Sequence, residues 1–339
     1  MRAFKHIVPI LLIAILLPIV SPTALSAVPS NKTAVVEADK EAAKARDYLL
    51  SQYKNGASDW GLIALSAQTG NKDSQRIADL KKNWMNKTIS QLKSKSDLPR
   101  VTTDYARLAL AVAAANGNPR NCGGIDLVQN LIDSQTPSGK FADLVDGTGE
   151  ELVNAHIWAI IVLYSCGEEV PQPEMARRWL IDHQNRDGGF GFKASSNVSD
   201  VDITAQALLA LNCLGDTSSS PVVRRGLAYL KKRQAASAGF AGWGGENCES
   251  SASVLQTLIA FRIDPLAAQW TVKSKNMLGF MKSCQLDNGA FGHLAGGTAN
   301  VMATEHALLA LSEYRDGVTI YQKLHKSRLQ KSSKPRVKG

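Results

Sequence analysis

The chain carries little that marks a cofactor or a nucleophile. Its five cysteines, Cys122, Cys166, Cys213, Cys248 and Cys284, are widely spaced and form no C-x-x-C pair. That excludes a zinc ribbon, a thioredoxin-type motif and a disulfide scaffold, and the odd number leaves at least one thiol free. A Gly-rich phosphate loop, a metal-spaced histidine motif and a Ser-His-Asp order are all missing, since Gly244-Gly245 follows Trp243 in a turn and opens no βαβ unit. No cofactor and no metal are therefore expected, and no nucleic acid as partner. Only 26 of 339 residues are Gly and 12 are Pro, while 44% are hydrophobic, so the chain is neither disordered nor of low complexity. Alternating β-branched stretches are almost absent, which points to an all-α fold.

Long apolar runs are also lacking, except at the start. Arg2 and Lys5 precede an apolar run from Ile7 to Val20, and small residues follow up to Ala27. This is the pattern of an export signal over residues 1–27, although Leu25 is bulkier than usual near the cut. As a membrane span the run is short and is interrupted by Pro9 and Pro18. The expected mature protein is exported, secreted or associated with the cell envelope. Its net charge of +9 falls to +7 with the leader gone. Much of the excess lies in a tail over residues 317–339, with Lys323, Lys326, Arg328, Lys331, Lys334, Arg336 and Lys338. Such a tail is expected to be solvated and disordered; its alternative use is contact with an anionic wall polymer or lipid headgroup.

What is abundant is repetition. Small, apolar segments recur about every 50 residues: DWGLIALSA from Asp59, DYARLALAV from Asp104, NAHIWAIIVL from Asn154, DITAQALLAL from Asp202, ESSASVLQTL from Glu249 and ATEHALLAL from Ala303. Between them lie more charged, amphipathic segments such as PEMARRWLIDHQ from Pro173. A helix that is apolar nearly all round needs cover on every side, whereas one with a single apolar stripe can lie outside it. Six inner helices ringed by six outer ones satisfy both, which predicts an (α/α)6 toroid over residues 28–316 as one domain.

A second signature follows the outer segments. Trp179-Leu180 leads to Gln184, Gly188 and Phe190, and Phe280-Met281 leads likewise to Gln285, Gly289 and Phe291. Tyr229-Leu230 leads to Gln234 and, one residue late, to Gly239-Phe240; Gln135, Gly139 and Phe141 give a fourth copy, and Gln52 with Gly56 a fragment. Gln is expected to satisfy loose backbone groups at the helix end, Gly to turn the chain, and the ring to pack between units. This pattern resembles the QW repeat of squalene and terpenoid cyclases and of protein prenyltransferase β subunits. It is most similar to exported bacterial prenyltransferase/squalene-oxidase-repeat proteins, which also resemble the cobalamin-carrying toroid of transcobalamin and intrinsic factor. The resemblance supports the toroid and implies an apolar, polyprenyl-like or even cobalamin-like ligand. The cobalamin carriers close with a second, β-rich domain, and here only the basic tail follows Tyr314.

Aligned on their Ala-Leu runs, the inner helices start with Asp59, Asp104, Asn154, Asp202 and Glu249, with Met302 in sixth place and Glu305 a turn later. Acids and Asn at helix starts serve as caps, yet in a toroid they would also rim the mouth of a central cavity. Trp60, Tyr105, His156 and Trp158 are the candidate aromatic wall for an apolar ligand. The run Asp200-Val201-Asp202-Ile203-Thr204-Ala205 resembles the D-x-D-D-T-A motif of class II terpenoid cyclases, which implies Asp202 as general acid beside Asp200. Ile203 stands where that family has its third Asp. The zinc site of the prenyltransferases is not matched: Glu246-Asn247-Cys248 lies early, Ala303 occupies the histidine's place, and His306 is displaced. The reading that follows is an exported, non-catalytic binding module that holds an apolar small molecule or a cell-envelope partner at its central cavity; its rival is a squalene-type cyclase acting through Asp202.

Overall fold

The computed structural model describes residues 31–68, 73–93 and 99–332, so the expected leader and the last residues of the tail lie outside the described residues. Among the described residues no helix is long and apolar enough to cross a membrane. The six small, apolar segments form α2 (Asp59–Ser66), α4 (Thr102–Ala114), α6 (Val153–Ser165), α8 (Val201–Cys213), α10 (Cys248–Ala260) and α12 (Val301–Asp316). Each packs on the next, and α12 packs on α2, closing a ring. Their apolar residues run around the whole helix: in α6, ten of thirteen side chains are buried.

The outer helices are α1 (Lys32–Gln52), α3 (Ser74–Lys93), α5 (Leu127–Asp133), α7 (Pro173–Asp182), α9 (Pro221–Arg233) and α11 (Met277–Ser283). They are amphipathic, as α7 illustrates by burying only Ala176, Trp179 and Leu180, one stripe at helical spacing. The fold is the all-α (α/α)6 toroid that the repeats predict. Two short antiparallel pairs, β1 (Phe240–Gly242) with β2 (Gly245–Asn247) and β3 (Phe291–Gly292) with β4 (Ala299–Asn300), lead into α10 and α12.

The Gln-Gly-Phe signature is the joint between units. The Gln184 amide donates to the Gly188 carbonyl at 2.8 Å and to Val222 in the first turn of the next outer helix at 2.9 Å. Gln234 does the same to Ala238 and Trp270, and Gln285 to Gly289 and Glu41. So Gln staples neighbouring units rather than capping only its own helix. At Gly188 (φ +90°) a Cβ would meet the Arg225 carbonyl oxygen at 2.5 Å, and so the turn also needs glycine to let that helix approach. In the offset copy Ala238 takes the left-handed turn (φ +71°), while Gly239 lies flat against the Phe280 ring. Each signature ring, Phe141, Phe190, Phe240 or Phe291, is fully buried. Its backbone N–H donates to an inner-helix side chain: His156, Thr204, Ser251 and Thr304 in turn.

The seam between the two ends of the toroid uses the same devices. Gln285 reaches α1, Lys282 pairs with Glu37 and Glu41, and Glu305 accepts from the Tyr53 hydroxyl and from Ser58.

The tail departs from expectation. Residues Ile320–Ser332 form a thirteenth helix, α13, laid across the C-terminal ends of the inner helices. Ile320 and Tyr321 are buried. The Gln322 amide donates to Asn212 and to the Ala260 carbonyl, His325 stacks on Tyr164 with ring centroids 3.9 Å apart, and Arg328 donates to the Gly117 carbonyl at 2.6 Å. Helix C-termini leave carbonyls unpaired, and a basic, donor-rich helix is suited to cover them.

Candidate functional site

The caps set the register at the opposite end, the mouth. Leu152, Asp200, Asn247 and Asn300 are the N-cap residues of α6, α8, α10 and α12, and the last three accept a backbone N–H with their side chains. Two residues after each cap stand Asn154, Asp202, Glu249 and Met302. One turn further stand Trp158, Gln206, Ser253 and His306, all of which line the axial cavity. Side chains four apart share a helix face, so Asn154, Asp202, Glu249 and Met302 ring the mouth above them. Asp59 and Asp104 each fall one residue out of this register, a rotation of about 100°, and turn away.

Asp202 is the chemically distinctive member. Asp200 caps α8 through the Ile203 N–H at 2.9 Å, which frees Asp202 from capping duty. Its Oδ2 accepts from the Ser250 hydroxyl at 3.0 Å, while Oδ1 is buried with no hydrogen-bond partner. Burial, reinforced by the Asp200 and Glu249 carboxylates, pushes its carboxyl up to about 6. Glu249 and Asn154 each hold a similarly buried, unpartnered oxygen, Oε1 and Oδ1. Glu249 Oε2 bonds His293 Nδ1 at 2.9 Å, and the other ring nitrogen meets the Trp243 carbonyl at 3.1 Å. Burial alone would lower the His293 imidazole; the bond to Glu249 outweighs it and holds it above its ordinary value. Gly242 closes over this cluster, because a Cβ there would lie 2.2 Å from Ser250 Oγ and 2.8 Å from Asp202 Oδ2.

Around these acids the rim is apolar. Trp243 at the β1–β2 tip is 88% exposed and Val198 73%, Phe192 and Leu294 are exposed on neighbouring mouth loops, and Met302 is exposed in the first turn of α12. The sequence by itself assigns no role to His293 or Trp243. Their only signal was a histidine and a tryptophan beside glycines in the loops just before inner helices.

The other candidates are distributed elsewhere. Asp59 and Asp104 flank Arg107, at 3.1 and 2.7 Å, in a cleft of about 500 Å³ between α2, α3 and α4, with Trp84 Nε1 on Asp59 at 3.2 Å. Tyr105 is buried in the wall, its hydroxyl on Asn130. His156 is fully buried, its Nδ1 taking the Phe141 N–H and its Nε2 facing the Ala176 carbonyl, both at 3.0 Å. Burial drives it down to about 3, so it stays neutral and structural. Glu305 belongs to the ring seam. Tyr105 and His156 have their polar atoms engaged within the wall, and Glu305 Oε1 is taken up by Tyr53 and Ser58.

Trp60 and Trp158 do face the axis. Their rings meet edge to face at 5.3 Å, with His306 on Trp60 at 5.3 Å and Tyr321 of α13 on Trp158 at 6.2 Å. These side chains fill the middle of the ring. What remains is a cavity of about 20 Å³, against roughly 300–1,000 Å³ in ordinary ligand sites. The central cavity that the repeats predict is thus filled by its own side chains, and neither a folded polyprene nor a cobalamin-like ring fits in the space they leave.

A family model described as the prenyltransferase alpha-alpha toroid domain matches residues 58–247. The chain belongs to that family. The model of the squalene-hopene cyclase C-terminal domain matches residues 192–312, which contain Asp202, Glu249 and His293. A drimenyl diphosphate synthase of Streptantibioticus cattleyicolor is 28% identical over 67% of this chain and 46% of its own length. The toroid thus spans about half of that relative. Among solved structures, the type II terpene cyclase MstE from Scytonema, bound to geranylgeranyl dihydroxybenzoate, matches with a TM-score of 0.59 at 12% identity, over 84% of this chain and 99% of the other. Candida albicans protein geranylgeranyltransferase-I with GGPP matches with a TM-score of 0.55 at 14% identity, over 89% and 94%. At such identities the structures support the fold and leave the chemistry to the residues.

Proposed function

We propose that this family member is an exported binding module that takes an apolar, polyprenyl-like molecule at the mouth of the toroid, against Trp243, Phe192 and Met302, rather than inside the ring. The observation that carries the reading is the filled axis: Trp60, Trp158, His306 and Tyr321 leave about 20 Å³. A cyclase must enclose its whole substrate to fold it and exclude water from the cation. A binder needs only an exposed apolar rim, and this mouth has one. The polyprenyl ligands of the toroid neighbours give the ligand class its support. The test is titration of the protein with farnesol, squalene and geranylgeranyl diphosphate, following tryptophan fluorescence. Saturable quenching that disappears in Trp243→Ala is expected; quenching unchanged in that variant would move the ligand elsewhere.

One observation favours a second reading, a class II terpene cyclase. Asp202 is a carboxylic acid held partly protonated near pH 6 with an unpartnered oxygen, the state that protonation of an alkene requires. In that reading the axial side chains would have to swing aside. Extraction after incubation with squalene or geranylgeranyl diphosphate separates the two. A cyclised product that vanishes in Asp202→Asn establishes the cyclase and overturns the binding module; recovery of unchanged polyprene leaves the binding module.

A further inference from the structure

A second hollow lies off the axis, the cleft of about 500 Å³ between α2, α3 and α4, a size within the roughly 300–1,000 Å³ of ordinary ligand sites. Leu80, Trp84 and Thr88, spaced four residues apart, form its α3 wall as one helix face. The facing walls bring Asp59 and Asp104 from the first turns of α2 and α4. Ser58 caps α2 through the Gly61 N–H, which frees Asp59 for the cleft. Arg107, a turn along α4, lies between the acids, with Nε on Asp59 Oδ2 at 3.1 Å and Nη1 on Asp104 Oδ1 at 2.7 Å. Trp84 Nε1 takes the other Asp59 oxygen at 3.2 Å, so Asp59 is used up in holding the walls together. Three polar groups are left over. Arg107 Nη2 and Asp104 Oδ2 have no partner among the described residues, on side chains 36% and 43% exposed. Thr88 is only 6% exposed, yet its hydroxyl, in the cleft wall, makes no hydrogen bond among those residues.

The leftover groups define what the cleft can take. Arg107 is already matched by two carboxylates, so the floor holds no free positive charge for a phosphate or a carboxylate, and Lys54 and Lys87 stand exposed at the edge. Hydrocarbon laid on the Asp59–Arg107–Asp104 network would strip its water and return no hydrogen bond. A hydroxyl both donates and accepts. One such group can give its proton to Asp104 Oδ2, and it or its neighbour on a sugar ring can accept from Arg107 Nη2, two atoms at the free ends of one salt bridge. Charge-assisted bonds of this kind are the strong ones. Thr88 serves a further hydroxyl in either sense, and Leu80 and Trp84 offer apolar surface to the C–H face of a ring. We propose that this cleft is a saccharide-binding site, separate from the apolar mouth and independent of what binds there.

The test is isothermal titration of the full chain with cellotetraose, chitotetraose, maltotetraose and tetragalacturonate, which differ in linkage, acetamido groups and charge. Saturable binding of at least one is expected, weakened about tenfold in Asp104→Ala and several-fold in Thr88→Val, and unchanged in Trp243→Ala. Asp104 is partly exposed and Thr88→Val keeps the shape of the side chain, so both variants should melt within about 2 °C of the parent. If one of them fails to fold, the other still reads the site. Absence of binding to all four saccharides would overturn the proposal, as would binding that survives both substitutions. Binding lost in Trp243→Ala and kept in Asp104→Ala would place the sugar at the mouth and overturn it equally.

Discussion

The two ends of the toroid are finished in opposite ways. At the C-terminal end of the inner helices, α13 supplies donors to the free carbonyls, and Glu313 is buried with Oε1 on the Ile320 N–H at 2.7 Å and Oε2 on the Gln256 amide at 2.9 Å. At the mouth, three oxygens on consecutive inner helices stay buried and unpartnered, and large apolar side chains face solvent. An unpaired buried oxygen costs on the order of 1–3 kcal/mol. The covered end keeps one such atom, the Tyr314 hydroxyl, so the two poles differ in how many buried polar atoms lack partners and in how much apolar surface faces solvent.

The largest expected break in that contrast is at the covered end. Tyr321→Ala removes a buried ring from the axis and should cost about 3–5 kcal/mol in denaturant unfolding; a loss under about 1 kcal/mol would mean that α13 is dispensable. Next comes the acid itself. The folded-state carboxyl of Asp202, near 6, lies above the roughly 4 of an unfolded Asp. The folded protein therefore binds the extra proton between those values, and stability falls as pH rises through that window. Asp202→Asn should remove this slope and stabilise the protein by up to about 2 kcal/mol at pH 7.5, with little change at pH 3.5. Melting at the two pH values checks it, and destabilisation at both would make Asp202 structural. Asp200→Ala should cost about 1 kcal/mol by uncapping α8 and should shift the remaining pH slope downward, since Asp200 helps to raise Asp202. The smallest effect is Trp243→Ala, within about 0.5 kcal/mol of unchanged in stability while losing ligand; a clear drop in melting temperature would count the ring as core.

The toroid was legible because inner helices must be apolar all round, and six such segments at even spacing leave few other arrangements. The site was legible only where one helix carried it. Asp200 and Asp202 stand in one motif, and their roles as cap and buried acid separate as soon as α8 has a start. Asp59 and Asp104 were placed in the ring by an alignment accurate to about one residue, and one residue of helix is 100° of rotation. His156 took the place that Thr204 and Thr304 hold in other units, accepting a phenylalanine N–H, an equivalence visible only once the hairpins are folded. The pairing of Glu249 with His293 spans two units. The tail was misjudged because its charge outweighs Ile320, Tyr321 and Leu324, whose spacing is the apolar stripe of a helix that docks rather than floats.

The seam between α1 and α12 also bears on how the chain assembles. The other joints between repeats link units that follow one another in sequence, so those contacts can form as soon as two repeats exist. The seam instead waits for residues around Gln285 and Glu305 to meet residues around Glu41 and Tyr53, and with the docking of α13 on Tyr164 and Gly117 it is a contact of very high order in an otherwise local fold. Closure is then the expected slow step. Until the last inner helix is made, α1 has only its own amphipathic stripe to bury, and an arc of repeats that has not yet closed presents two open faces where neighbouring copies could join in place of its own ends.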